Sequence, residues 1–162
     1  SVGGIQRVLQ NLLNERVSIR DLPTILEGIS EACAFTRNVT QLTEHVRSRL
    51  SRQISEQNST EDNFIPLVTL SAEWEQIFSD SILDQGEDKQ LSMAPSQLQR
   101  FIGAVRTTLD ELADIEDPPV VLTSPLARPF VRSIIERFRP ATSIMSQNEL
   151  HPKAKIKTLG QI

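Results

Sequence analysis

The chain has one cysteine, two histidines, one tryptophan and no tyrosine in 162 residues. The lone thiol, Cys33, excludes an internal disulfide framework and fits a reducing compartment. With only His45 and His151 beside it, little remains for a soft-metal site. Wholly apolar runs extend over a few residues only, against the ~20 that a membrane-spanning helix requires, and no charged-then-apolar signal peptide opens the chain. A Gly-x-Ser-x-Gly elbow, a His-Glu-x-x-His pair and a glycine-rich turn with a Walker lysine are all missing, so no nucleophile has an evident activating partner. The net charge of −4 argues against general attraction to phosphate backbones or anionic lipid.

What is present is a hydrophobic fraction of 38%, enough for a packed core, and an uneven charge distribution. Residues 1–60 carry seven Lys/Arg against six Asp/Glu, residues 61–118 three against thirteen, and residues 119–162 seven against two. The middle is acidic and the tail basic. That pattern suits either a charge-complementary contact or two separately solvated faces.

Hydrophobic spacing predicts three short amphipathic helices in the first third. Ile5, Val8, Leu9, Leu12 and Leu13 form the first stripe, and Leu22, Ile25, Leu26 and Ile29 the second. Leu42, Val46, Leu50 and Ile54 form the third, after a start near Asn38, with Arg47, Arg49 and Arg52 mostly outward. Ser18, with Asp21 three residues on, reads as the cap of the second helix. Cys33 falls on the apolar side of that helix and reads as a structural thiol, and His45 as a boundary histidine. Ser55 to Asn63 has no apolar residue and reads as a linker.

After it, Phe64 to Leu70 suggests a strand that Pro66 pushes toward an edge or a bulge. Ser71 caps a helix burying Trp74, Ile77, Phe78 and Ile82. Residues 84–95 read as an exposed loop, and Ser96 caps a helix with Leu98, Phe101, Ile102, Val105, Leu109 and Leu112 on its buried face. The stretch from Val120 to Met145 reads as a βαβ unit with parallel strands, its helix capped by Ser124 with Pro125 in the first turn. A last strand is expected through Lys155–Leu159. The fold class is therefore α+β: a three-helix subdomain over 1–54, a linker over 55–63, and an α/β subdomain over 64–162 with a βαβ unit and a mixed sheet.

Candidate sites are few. Asp110, Glu111, Asp114, Glu116 and Asp117 lack calcium-loop spacing and read as a solvated helix end. Ser124 at a strand-to-helix junction reads as a simple cap, although free backbone N–H groups there could take an anion. Arg47, Arg49 and Arg52 make a basic patch too diluted by acids, and too poor in aromatics, for a nucleic-acid reader. No catalytic, cofactor-binding or metal-binding residue is assigned.

The order of polar residues in Gln6-Arg7-Val8-Leu9-Gln10-Asn11-Leu12-Leu13, followed by Arg20-Asp21-Leu22-Pro23-Thr24-Ile25-Leu26-Glu27, is not explained by helix periodicity. It resembles the signature of the type III secretion export-gate family, shared by flagella and virulence-associated injectisomes. Leu42-Thr43-Glu44-His45-Val46-Arg47, Pro119-Val120-Val121-Leu122-Thr123-Ser124-Pro125, Arg128-Pro129-Phe130-Val131-Arg132 and Ser146-Gln147-Asn148-Glu149-Leu150 are similar to the same family. The resemblance is weak from about Asn58 to Leu91, and this divergent middle tilts the expectation toward the injectisome.

The resemblance implies an inner-membrane protein whose cytoplasmic part has four subdomains, of which this chain, as a piece of something longer, is similar to the last two. It implies a nonameric ring that receives chaperone-bound substrates and a gatekeeper protein and works with other export components. It implies no enzyme activity, no nucleic-acid partner and no membrane contact by this region. Chaperone docking in the flagellar family involves mostly the two subdomains absent here. Arg20, Asp21, Arg47 and Arg49 are the candidate subunit contacts. The alternative from a different class is a small α/β ligand-binding or enzyme domain using a crevice near Ser124.

Overall fold

The structure is a computed structural model describing residues 1–162. Its first elements follow the apolar spacing. Helix α1 (Val2–Asn14) buries Val8 and Leu12, and α2 (Leu22–Ala32) buries Ile25, Gly28, Ile29 and Ala32. Helix α3 (Val39–Arg49) starts where expected, with the Asn38 carbonyl oxygen of the side chain accepting from the Gln41 N–H at 3.0 Å. The third stripe does not continue as one helix. Leu50 leaves helical geometry at φ −97° and ψ 20°, and a separate α4 (Ser51–Gln57) carries Ile54. The cap of α2 is Asp21 rather than Ser18, with its carboxylate accepting from the Thr24 N–H at 3.3 Å.

The remaining elements are β1 (Ile65–Thr69), α5 (Ala72–Ser81), β2 (Ile82–Gln85), β3 (Asp88–Leu91), α6 (Pro95–Glu111), β4 (Val120–Thr123), α7 (Arg128–Ile135), β5 (Ile144–Ser146), a 3-10 turn (Gln147–Glu149) and β6 (Ile156–Gln161). The class is α+β. The βαβ unit is β4–α7–β5, and its two strands are parallel. Four strands form a sheet in the order β5-β4-β1-β6, parallel throughout, and antiparallel pairing is confined to the β2–β3 hairpin.

Residues 84–95, expected as a loop, therefore hold most of a hairpin. Gly86 at φ +70° makes its turn, a conformation that L side chains rarely adopt. The charged run has no apolar alternation to announce a strand. Helix α6 begins at Pro95 after Ala94, so Ser96 lies inside its first turn and does not cap it.

β1 is an inner strand despite Pro66. Pro66 lies one residue before the first rung shared with β4, Leu67↔Val120, so its missing N–H costs that ladder nothing. The irregularity that proline suggested appears on the other side, where the β6 register shifts between Leu67 and Val68.

Side chains alternate across the sheet and divide the core. Ile65, Leu67, Val120 and Met145 pack with the buried residues of α1 to α4. Val68, Val121 and Ile144 pack with those of α5, α6 and α7. Buried on both faces, β1 and β4 read as near-continuous apolar runs. In the second layer Phe101 meets Trp74 and Phe78 edge-to-face, with ring centroids 5.1 and 4.9 Å apart.

Helix α4 runs three residues into the segment 55–63. Ser55 is buried there, its hydroxyl donating to the Glu149 carbonyl and accepting from the His151 N–H, each at 2.9 Å. No helix is long and apolar enough to cross a membrane.

Candidate assembly site

Of the four candidate contacts, Arg47 is in the wrong place for a surface role. It is 2% exposed, and its guanidinium is held by Glu149 through Nε–Oε2 at 2.8 Å and Nη2–Oε1 at 2.9 Å. The helical pattern misses this because Arg47 directly follows Val46: a long side chain beside an apolar stripe can fold back under its helix when a carboxylate waits there.

Arg47 belongs to a buried network. Arg128 of α7, 1% exposed, binds Glu44 of α3 through Nε–Oε1 at 2.7 Å and Nη2–Oε2 at 3.0 Å. It also binds Glu15, just after α1, through Nη2–Oε2 at 2.7 Å, and donates from Nη1 to the Ile144 carbonyl at 2.8 Å. Arg132 stands 3.6 Å from Glu15. Glu149 closes a capping box on the 3-10 turn by accepting from the Ser146 N–H at 3.1 Å. Four elements far apart in sequence, α1, α3, α7 and the 3-10 turn, are tied at one point.

Charge and burial compete in this network. Burial alone would raise the Glu15 pKa, but the hydrogen bonds from Arg128 and the charges of Arg128, Arg47 and Arg132 outweigh it and hold Glu15 below the usual carboxylate value. At Glu44 burial wins over Arg128, and the pKa is raised. Burial would lower Arg128, yet Glu44, Glu149 and Glu15 push it well above its ordinary value, so it stays charged. The arginines of the basic tail thus pair chiefly with glutamates of the first third. Only Arg139, paired with Asp110, reaches the acidic middle.

Arg20, Asp21 and Arg49 do lie at the surface. Arg20 is exposed in the α1–α2 connection, and the Asp21 carboxylate is shared between the Thr24 N–H and the Thr24 hydroxyl, the latter at 2.7 Å. Arg49 pairs with Glu27 at 3.3 Å and with Glu31, which also meets His45 Nε2 at 2.9 Å. The hydrogen bond with His45, and the Arg49 charge, keep Glu31 below the usual carboxylate range. Between these charges lie Leu22 and Leu26, 43% and 45% exposed. Both were expected inside with Ile25 and Ile29, but the buried arc of α2 is too narrow to take all four. The result is a helix face with an apolar centre at i, i+4 and a charged rim, the anatomy of a protein contact.

The crevice near Ser124 is different. Ser124 caps a turn through its hydroxyl, which accepts from the Ala127 N–H at 3.2 Å, and α7 starts only at Arg128. The Ser124 N–H, the donor an anion would need, already donates to Glu75 Oε1 at 2.8 Å. A groove of about 330 Å³ beside it is lined by Phe35, Glu44, His45, Pro125 and Leu126 among others. Both Glu44 oxygens are taken by Arg128, and His45 Nε2 by Glu31. A larger crevice, about 580 Å³, lies at the amino ends of the strands, by Pro66, Pro119 and Ser143.

Flagellar biosynthesis protein FlhA of Caulobacter vibrioides is 56% identical over 98% of the chain, and low calcium response locus protein D of Yersinia pestis 30% identical over 96%. The chain spans about a quarter of the length of these curated relatives, 23% and 22%. Among solved structures, the C-terminal domain of InvA superposes on the whole chain with a TM-score of 0.91 at 28% identity, the match covering 49% of that domain's chain. The CdsV and CdsO protein complex of Chlamydia pneumoniae gives 0.88 at 31% identity, covering 99% of this chain and 47% of that one. The nonameric EscV cytosolic domain from a type III secretion system gives 0.76 at 28%, covering 96% and 46%. The resemblance read from the opening motif therefore holds through the divergent middle. With residues 1–155 matching the FHIPEP family model, the chain belongs to the FHIPEP family, the export-gate proteins of type III secretion.

Proposed function

We propose that this chain is part of the cytoplasmic region of an export gate anchored in the bacterial inner membrane. It contributes to a nonameric ring, which in the full-length protein docks chaperone–substrate complexes and passes substrates to the export channel. The observation that carries the reading is the exposed Leu22–Leu26 face with its rim of Arg20, Asp21, Glu27 and Arg49, on a fold shared with the nonameric EscV domain. The buried arginine–glutamate network supports it, because a ring contact needs a stiff protomer and the network ties α1, α3 and α7 together. Identity of 56% to a flagellar relative against 30% to the Yersinia protein supports a flagellar system. The complex of CdsV with CdsO supports a further export component as a partner. Ring building is favoured over an enzyme at Ser124, because Glu75 occupies the donor there and Arg128 the nearby carboxylate.

We further propose that residues 1–54 form the ring-building unit and 64–162 an α/β lobe. Native mass spectrometry of the whole cytoplasmic region tests the contact. Leu26→Glu with Arg20→Glu is expected to abolish the nonamer while leaving a folded monomer. A nonamer that persists removes this face from the proposal.

A further inference from the structure

The two edges of the sheet are treated differently. β5 is three residues long and fully buried, and its Ile144 carbonyl accepts from both Arg128 and Arg47. β6 is six residues long, and Ile156, Lys157, Thr158 and Gln161 are exposed. An open edge of this length is a template for another strand, which proteins normally shorten or cover.

The ladder shows which groups stay free. The Ile65 N–H donates to the Lys155 carbonyl at 2.8 Å, and Ile65 stands opposite Ile156. The backbone groups of Lys155 and Lys157 thus face β1, and by alternation those of Ile156 and Thr158 face outward.

The charge at this edge is of one sign. Three of the four lysines in the chain, Lys153, Lys155 and Lys157, lie within five residues at the start of β6. None of them forms an ion pair; Lys157 instead sits 5.5 Å above the Phe64 ring. An adjoining groove holds Arg52 and His151, and its one carboxylate, Glu56, is paired with Arg52. Two copies of β6 set edge to edge would bring lysines together, which disfavours self-pairing.

We infer that the β6 edge is a docking site for an extended acidic segment of a partner protein, which adds a fifth strand beside β6 with carboxylates next to Lys155 and Lys157. Main-chain hydrogen bonds at Ile156 and Thr158 hold the segment, and the lysines select its charge. The site lies on a different element from the α2 face.

The test is amide hydrogen exchange on the isotopically labelled full chain with a capped peptide of alternating glutamate and threonine. Amides of Ile156 and Thr158 gain protection, those of Lys155 and Lys157 change little, and binding weakens with salt. Lys153→Ser, Lys155→Ser and Lys157→Ser together weaken binding about tenfold or more. Thr158→Pro removes one outward N–H without touching the β1 ladder, and abolishes binding while thermal unfolding is retained. If that variant does not fold, the triple serine variant decides. Binding without protection at Ile156 and Thr158, equal binding of an alternating lysine–threonine peptide, or protection that rises with chain concentration alone would overturn the inference.

Discussion

Arg47 on α3 and Glu149 on the 3-10 turn, 102 residues apart in sequence, face each other as a bidentate pair in the interior, at 2.8 and 2.9 Å. Their side chains are 3% and 1% exposed. The pair fastens the helical layer to the end of the βαβ unit. Burying both charges is costly, so the pair adds specificity of docking more than net stability.

Breaking it from one side is the harsher change. Arg47→Met removes both guanidinium hydrogen bonds from the Glu149 carboxylate, leaving it only Arg128 at 3.6 Å and the Ser146 N–H, and is expected to cost about 3 kcal/mol. The double variant Arg47→Met with Glu149→Leu recovers a substantial part, because neither charge is left alone. Urea unfolding midpoints of the three proteins measure this. A double variant no more stable than the single would mean that Glu149 matters chiefly through its capping box.

Glu15 and Glu44 impose opposite pH dependences. Glu15, lowered from the ordinary 4.5, contributes stability that is present above that value and lost as pH falls through its folded pKa. Glu44, raised from 4.5, contributes stability that is present below that value and lost as pH rises through its folded pKa. Glu44→Gln should therefore remove the decline on the alkaline side of 4.5 and keep the acid loss. Glu15→Gln should blunt the acid loss. Unfolding midpoints across the pH range read both, and an unchanged profile for Glu44→Gln would exclude Glu44 as its source.

Helices α2 and α3 touch at Gly28. A Cβ there would lie 3.3 Å from Val46 Cγ2 and 3.4 Å from Val46 Cα. Gly28→Ala is expected to destabilise by about 1–3 kcal/mol through overpacking. Combined with Val46→Ala the loss is less than additive, since the smaller neighbour makes room. Full additivity in denaturant titrations would show that α2 shifts freely instead.

The shared core bears on the proposed division at residues 55–63. Trp74, the sole tryptophan, reports on the layer of α5, α6 and α7, whereas far-ultraviolet circular dichroism reports on all the helices. Because Ile65, Leu67, Val120 and Met145 pack with α1 to α4, the two signals should lose structure in one coincident transition. Two separate transitions would show that the units fold independently.

Most elements were legible because local chemistry sets them. The existence of α1, α3 and α6, the Ser71 cap and the parallel β4–α7–β5 unit are written in local spacing, whereas the break at Leu50 and the starts of α2, α6 and α7 were not. The hairpin was not legible, because its strands are four residues each, none of their residues is fully buried, and Leu91 is the one apolar residue of β3. At the candidate site Arg20, Asp21 and Arg49 fell on the surface as their polarity suggests, while Arg47 did not and Leu22 and Leu26 did.

The sequence by itself determined the family, through polar residues whose order periodicity leaves free, and the class, through periodicity itself. Tertiary structure alone decided which charges are buried. A guanidinium enters the interior only where carboxylates from other elements converge on it. Arg47 and Arg128 meet Glu149, Glu44 and Glu15 only once the sheet has brought α1, α3, α7 and the 3-10 turn to one place.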